Sequence, residues 1–232
     1  MIDLEEQAIE ILKQAKNIVF MTGAGVSTAS GIPDYRSMTG VYHGVDNPEY
    51  LLSHTCLKRE PDVFYQFVKQ LYHPSAKPNV IHKKMAELSQ TKQVGIVTQN
   101  IDDLHIKAGS PNVVSFHGSL YDCYCQKCGQ SVSVSDYMQI MYHKECGGII
   151  RPNVVLYEEG LSESNIETAI SWLSQADVVC IVGTTFQVYP FSGLIHYRKP
   201  DSQVIVINKE PISLMEPHLL VQQKGENFFS NI

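Results

Sequence analysis

The apolar run Asn17-Ile18-Val19-Phe20-Met21, followed after Thr22 by Gly23-Ala24-Gly25-Val26-Ser27, constrains this chain more than any other segment. A buried strand feeding a glycine-rich turn brings backbone amides close to whatever lies at the strand's end, as in phosphate-binding α/β sheets. The dinucleotide fingerprint of hydride-transfer enzymes would put a third glycine at position 28 and an acidic residue about 20 residues on. Position 28 is Thr28, and the chain continues through Ser30-Gly31-Ile32-Pro33-Asp34-Tyr35-Arg36. One reading is a pyrophosphate cradle, with Ser27 at a helix start and Arg36 as a forked donor. The other is an ordinary strand-to-helix turn with a surface arginine. Hydride storage fits neither.

A length of 232 residues suits one α/β domain, or one large domain with a small insert. The formal net charge of −6 argues against sequence-independent nucleic-acid binding, which needs a basic face. No apolar run approaches the roughly 18 residues of a membrane span. The segment from Met1 to Lys16 lacks a basic stretch followed by an apolar core, so a cytoplasmic location without a secretory signal is expected. Six cysteines in that setting point to metal or catalysis rather than disulfides. Oligomeric state is not readable, and a monomer is the default expectation.

Asp3 and Glu6 have capping-box spacing before Leu4, Ala8, Ile9 and Leu12, which predicts a first amphipathic helix. Strands are expected at 17–21, 94–97, 113–116, 154–156, 178–182 and 204–207. Helices are expected at 62–72, 80–88, 165–174, and after the 183–185 loop to about residue 197. Residues 37–60 have no clean period and read as a partly helical excursion. Residues 121–150 hold four of the six cysteines. The alternation of strands and helices predicts an α/β fold: a Rossmann-like parallel sheet built from 1–36, 76–120 and 151–232. Inserted in it would be a helical flap at 37–75 and a small zinc-ribbon domain at 121–150. Gly23, Gln99, His117, Gly183 and Asn208 each fall just past a predicted strand, which predicts one shared cleft.

Thr98-Gln99-Asn100-Ile101-Asp102-Asp103-Leu104-His105 offers strand-end amides and a carboxylate able to fix a carboxamide or a ribose. Asp102 or Asp103 can instead cap the next helix, and His105 reads as a structural or surface histidine. In Phe116-His117-Gly118, a histidine at a strand end can project into a cleft as a general base. Cys125-x-x-Cys128 and His143-x-x-Cys146 have zinc-ribbon spacing, with His143 or Cys123 completing the site. Four protein ligands leave no open position, so the zinc would be structural. Gly183-Thr184-Thr185 and Asn208-Lys209 are strand-end residues small or polar enough to admit a ribose and adenine.

Taken in order, these motifs closely resemble those of the sirtuin family of NAD-dependent protein deacylases. The match runs through Gly23–Arg36, Thr98–His105, Phe116-His117-Gly118, the ribbon leading to Gly147-Gly148-x-x-Arg151-Pro152, Gly183-Thr184-Thr185-x-Gln187-Val188-x-Pro190 and Ile207-Asn208. The resemblance implies that Gly23, Ala24, Gly25, Ser27, Asp34, Tyr35 and Arg36 contact NAD around its phosphates and nicotinamide ribose. Gln99, Asn100, Ile101 and Asp102 would hold that ribose and the carboxamide, and Gly183, Thr184, Thr185, Asn208 and Lys209 the adenosine half. His117, with Asn100 and Asp102, would form the catalytic set. An acylated-lysine protein would lie along Phe116, Val155, Tyr157, Glu158, Phe186, Gln187 and Val188, its peptide adding as a strand between 158–160 and 186–188. The acyl oxygen would attack the ribose carbon, and His117 would then take a proton from a ribose hydroxyl. The products would be free lysine, nicotinamide and acyl-ADP-ribose. Mono-ADP-ribosyl transfer and a non-catalytic NAD or acyl-lysine binder are the alternatives.

Three positions depart from the family pattern. Tyr35 stands where phenylalanine is common, and Asp103 where glycine is usual. Tyr42 is followed three residues on by Val45 rather than arginine, which predicts uncharged acyl groups.

Overall fold

The computed structural model describes residues 3–34 and 47–232, so Tyr35, Arg36, Tyr42 and Val45 lie outside the described residues. Nine strands are numbered in chain order: β1 (Asn17–Thr22), β2 (Gln93–Thr98), β3 (Val113–Ser115), β4 (Gly118–Cys125), β5 (Ser131–Val132), β6 (Ile150–Val154), β7 (Val178–Val182), β8 (Gln203–Asn208) and β9 (Leu219–Gln222). The α-helices are α1 (Leu4–Gln14), α2 (Pro48–Leu51), α3 (His54–Arg59), α4 (Pro61–Gln70), α5 (Val80–Leu88), α6 (Leu104–Lys107), α7 (Val134–Tyr137), α8 (Glu163–Leu173) and α9 (Gly225–Ser230).

Six strands form a parallel sheet in the order β3-β2-β1-β7-β8-β9. The central strands are apolar on both faces, as a sheet covered by helices on both sides requires. One face packs Phe20, Ile96 and Ile205 against Leu12, Ile81 and Phe229 from α1, α5 and α9. The other packs Met21, Val97 and Ile181 against Leu173 and Phe191. The chain leaves β1 toward β2 on one side and returns to β7 on the other. That reversal lies between β1 and β7, and a crevice opens at the carboxyl ends of such neighbours.

Of the expected strand at 154–156 only Val154 is in a strand, as the last residue of β6, which pairs antiparallel with β4 in a second, three-stranded sheet β5-β4-β6. Leu120, Cys123 and Ile150 of that sheet share a core with Leu57, Phe64 and Val68 of α3 and α4. Flap helices and small sheet therefore bury their apolar faces on each other. Three local expectations also differ. Asp3 is the N-cap of α1 but its side chain makes no capping bond, the segment before Tyr197 is a 3-10 helix (Ser192–Tyr197), and β9 and α9 follow the last predicted strand.

Candidate active site

β1 and β7 end side by side, and their glycine loops pack directly on each other. Gly25 N donates to Gly183 O at 2.8 Å, and a Cβ added at Gly25 would lie 2.7 Å from that oxygen. Both positions need glycine for this approach, and Gly183 also has φ +61°. The loop after β1 forms two short 3-10 turns (Ala24–Val26 and Thr28–Ser30), so Ser27 does not start an α-helix. Its hydroxyl serves a different end.

Ser27 is buried and donates to Asp102 Oδ2 at 2.6 Å, while Asp102 Oδ1 accepts from Leu104 N at 2.9 Å. Asp102 thus ties the glycine loop to the segment after β2 and also accepts from the first amide of α6, whose N-cap residue is Asp103. Asn100 donates through Nδ2 to Gly23 O and to Ser27 Oγ, both at 3.1 Å. Gln99 Oε1 accepts from Thr184 Oγ1 at 3.2 Å, joining the ends of β2 and β7. Its buried Nε2 has no partner among the described residues, a donor left over for a ligand. A small cavity lies beside this network, lined by Ala24, Ser27, Pro33, Asn100, Ile101 and Asp102.

Leu71, His73 and Tyr121 also line that cavity, and none was singled out from sequence. They arrive from the end of α4 and from β4, and only tertiary packing brings them there. Lys107 Nζ stands 3.6 Å above the Tyr121 ring and donates to Asp102 O at 3.2 Å, which braces this wall. The sequence carries no short-range signal for either contact.

His117 sits between β3 and β4, and Gly118 after it has φ +81° with Asn153 O where a Cβ would be. His117 Nδ1 lies 3.2 Å from Gln99 O. A carbonyl oxygen only accepts, so Nδ1 carries the hydrogen and Nε2 keeps its lone pair. Burial lowers the pKa of His117, with that bond opposing in part. The ring is therefore a neutral base at neutral pH.

Of the remaining residues, Asp34 is half-buried at the edge of the described loop, Thr185 and Lys209 are exposed, and Asn208 Nδ2 donates to Glu210 O at 2.8 Å. Phe116 and Phe186 are buried against Phe191, under the segment that leads to Gln187 and Val188. Val155 N donates to His117 O at 2.9 Å, joining the base to the 155–158 segment. His105 is neither a catalyst nor a surface residue. It is buried, bonds Thr22 Oγ1 at 3.0 Å and packs against His82 with ring centroids 4.7 Å apart and the planes tilted by 59°. Asp103 occupies left-handed backbone at φ +59°, which accounts for the glycine usual there in the resembled family.

The ligand atoms of Cys125, Cys128, His143 and Cys146 all lie within 4.8 Å of one another. Cys125 Sγ to Cys146 Sγ is 3.4 Å, and His143 Nδ1 is 3.5 Å from Cys128 Sγ and 3.3 Å from Cys146 Sγ. Thiolates bound 2.3 Å from a tetrahedral zinc stand about 3.8 Å apart, so this donor set fits zinc. Cys123 is not part of it. Its buried thiol contacts the Tyr72 hydroxyl at 3.5 Å and the Leu120 carbonyl oxygen at 3.6 Å, within the core shared with α4.

Fold and site together define a Rossmann-like enzyme class with a cleft at the sheet's switch point and a small three-cysteine, one-histidine zinc module beside it. The chain belongs to the Sir2 family, the sirtuins, whose family model matches residues 23–190. A protein of Enterococcus faecalis named NAD-dependent protein deacetylase is 55% identical over 98% of this chain and 96% of its own length. One of the same name from Listeria innocua is 56% identical over 96% and 98%. Among solved structures, one described as "Sir2-p53 peptide-NAD+" has a TM-score of 0.85 and 28% identity, covering 97% of this chain and 95% of its own. Another, from work on the mechanism and regulation of Sir2 enzymes, has a TM-score of 0.89 and 32% identity, covering 100% and 96%.

Proposed function

We propose that this protein is an NAD-dependent protein lysine deacetylase, with His117 as its general base. The observation that carries the assignment of the base is the Gln99 carbonyl on His117 Nδ1, which leaves Nε2 as the proton acceptor. NAD supplies an ADP-ribosyl carbon with nicotinamide as a built-in leaving group. The chain's own residues bind, orient and move a proton. Gln99 Nε2 is a buried donor without a partner among the described residues and is suited to a ribose or carboxamide oxygen. Gly23, Ala24, Gly25, Thr184 and Asn208 would admit the rest of the dinucleotide. His117 Nε2 would accept the proton of a ribose hydroxyl. No protein nucleophile is required. The buried thiols of Cys56 and Cys180 are unsuited to that role, since burial raises both pKa values.

The acylated lysine would enter between 158–160 and 186–188, carrying a simple, uncharged acyl group. The zinc would hold the small sheet without touching substrate. The division into a Rossmann-like body, a flap insert at 37–75, of which 37–46 lie outside the described residues, and a small ribbon domain at 121–150 is part of the same proposal. So are a monomeric state and a cytoplasmic location, which suits thiols kept reduced. Among the described residues no helix is long and apolar enough to cross a membrane. Incubation with NAD and an acetyl-lysine peptide tests the reading: the expected products are nicotinamide, free lysine peptide and acetyl-ADP-ribose. ADP-ribosylated protein instead would establish the transferase, and NAD binding without nicotinamide release a binding module.

A further inference from the structure

Glu158 is unusual in both backbone and side chain. Its φ is +75°, a conformation that a residue with a Cβ adopts only when its surroundings hold it there. What holds it is a paired contact. Thr55 N and Thr55 Oγ1 both donate to Glu158 Oε2, at 2.9 and 2.6 Å. Thr55 lies in the first turn of α3, whose amides have no partners within the helix and favour a carboxylate.

The backbone on either side repeats the connection. Tyr157 N donates to Leu52 O and His54 N to Tyr157 O, both at 3.0 Å. The next residue, Glu159, accepts from the buried Arg151 and from Leu156 N, so this turn is fixed on its inner side too. The amides of Glu158, Gly160, Gln187 and Val188 have no partner among the described residues. One side of the 157–160 turn is stitched to α3, and α3 shares a core with α4, whose end lines the cavity through Leu71.

We infer that Glu158 is a positioning residue for the acyl-peptide. Its carboxylate, tied to Thr55 at the start of α3, holds 157–160 in the shape to which an incoming strand pairs. The inference rests on the deacetylase reading above. A strained turn relaxes when its tie is cut, and the ordering lost is then charged to peptide binding rather than to chemistry. The effect belongs in the peptide KM, while kcat and the NAD KM stay with the cleft.

The test is steady-state kinetics on the full chain with acetyl-lysine peptide and NAD, with thermal melts as a folding check. Glu158→Ala is expected to raise the peptide KM about tenfold with kcat and NAD KM within about twofold. Glu158→Gln keeps an acceptor for both donors and should bring the peptide KM back to within about threefold of the starting protein. Thr55→Val removes one donor and should give a smaller rise, and adding it to Glu158→Ala should add nothing. A peptide KM that moves less than about twofold in Glu158→Ala, or one that moves only together with kcat and NAD KM, overturns the inference while leaving the deacetylase reading intact. Absence of nicotinamide release from the unmodified chain overturns both.

Discussion

Ser27 donates its hydroxyl hydrogen to Asp102 at 2.6 Å, joining residues 75 positions apart in the chain. The contact fastens the glycine loop after β1 to the segment after β2, and Asn100 bonds to the same hydroxyl. A carboxylate that the motif alone suggests for the cofactor therefore has both oxygens engaged by its own chain. Its first task is to fix the shape of the cleft.

Ser27→Ala removes that donor and leaves a buried carboxylate oxygen short of a partner. The expected cost is about 1–3 kcal/mol of stability, with weaker NAD binding because the loop is no longer fixed. Urea denaturation and NAD titration would measure the two effects. Unchanged values in both would remove this contact from the account.

His117→Ala should bind NAD about as well as the unmodified protein and lose turnover on the order of 10²–10⁴-fold, the range of general bases. Near-normal deacetylation by the variant would exclude His117 as the base.

Stability should fall with acidity because of the buried His82–His105 pair. Burial lowers the pKa of His82 to about 4 and holds that of His105 well below its ordinary value. The unfolded chain takes up protons near pH 6.5, so between about 6.5 and 4 it binds more protons than the fold does. Folding free energy is thus fully present above pH 6.5 and is lost as pH drops through that window. His82 alone accounts for a loss on the order of 3 kcal/mol. Urea midpoints at pH 7.5, 6 and 5 would check this, with a shallower slope expected for His82→Gln. Equal slopes for the two proteins would refute it.

Cys128→Ser should lower zinc content and melting temperature together, because a structural site contributes its binding energy to folding. The small sheet shares its core with α3 and α4, so the loss should reach the flap helices as well. A zinc-free variant of unchanged stability would contradict the assignment.

The parallel sheet was legible because β1, β2, β7 and β8 are continuous apolar runs, each followed by glycine, amide or hydroxyl residues at its carboxyl end. The zinc ligands were legible because their spacing is local. β6 was not, since Ile150-Arg151-Pro152-Asn153-Val154 is interrupted by a charge, a proline and an amide, and only pairing with β4 makes it a strand. Leu71, His73 and Tyr121 were invisible for a related reason: they reach the cavity through the core shared by α4 and β4. Ser27 shows the limit most clearly. Its place in the glycine loop suggested a helix start, but a residue 75 positions away determines what its hydroxyl does.

The most direct test of the central claim is mass spectrometry of the products formed from NAD and an acetyl-lysine peptide. Nicotinamide, free lysine peptide and acetyl-ADP-ribose in equal amounts are the predicted result. Nicotinamide with the peptide still acetylated and ADP-ribose attached to protein would contradict it.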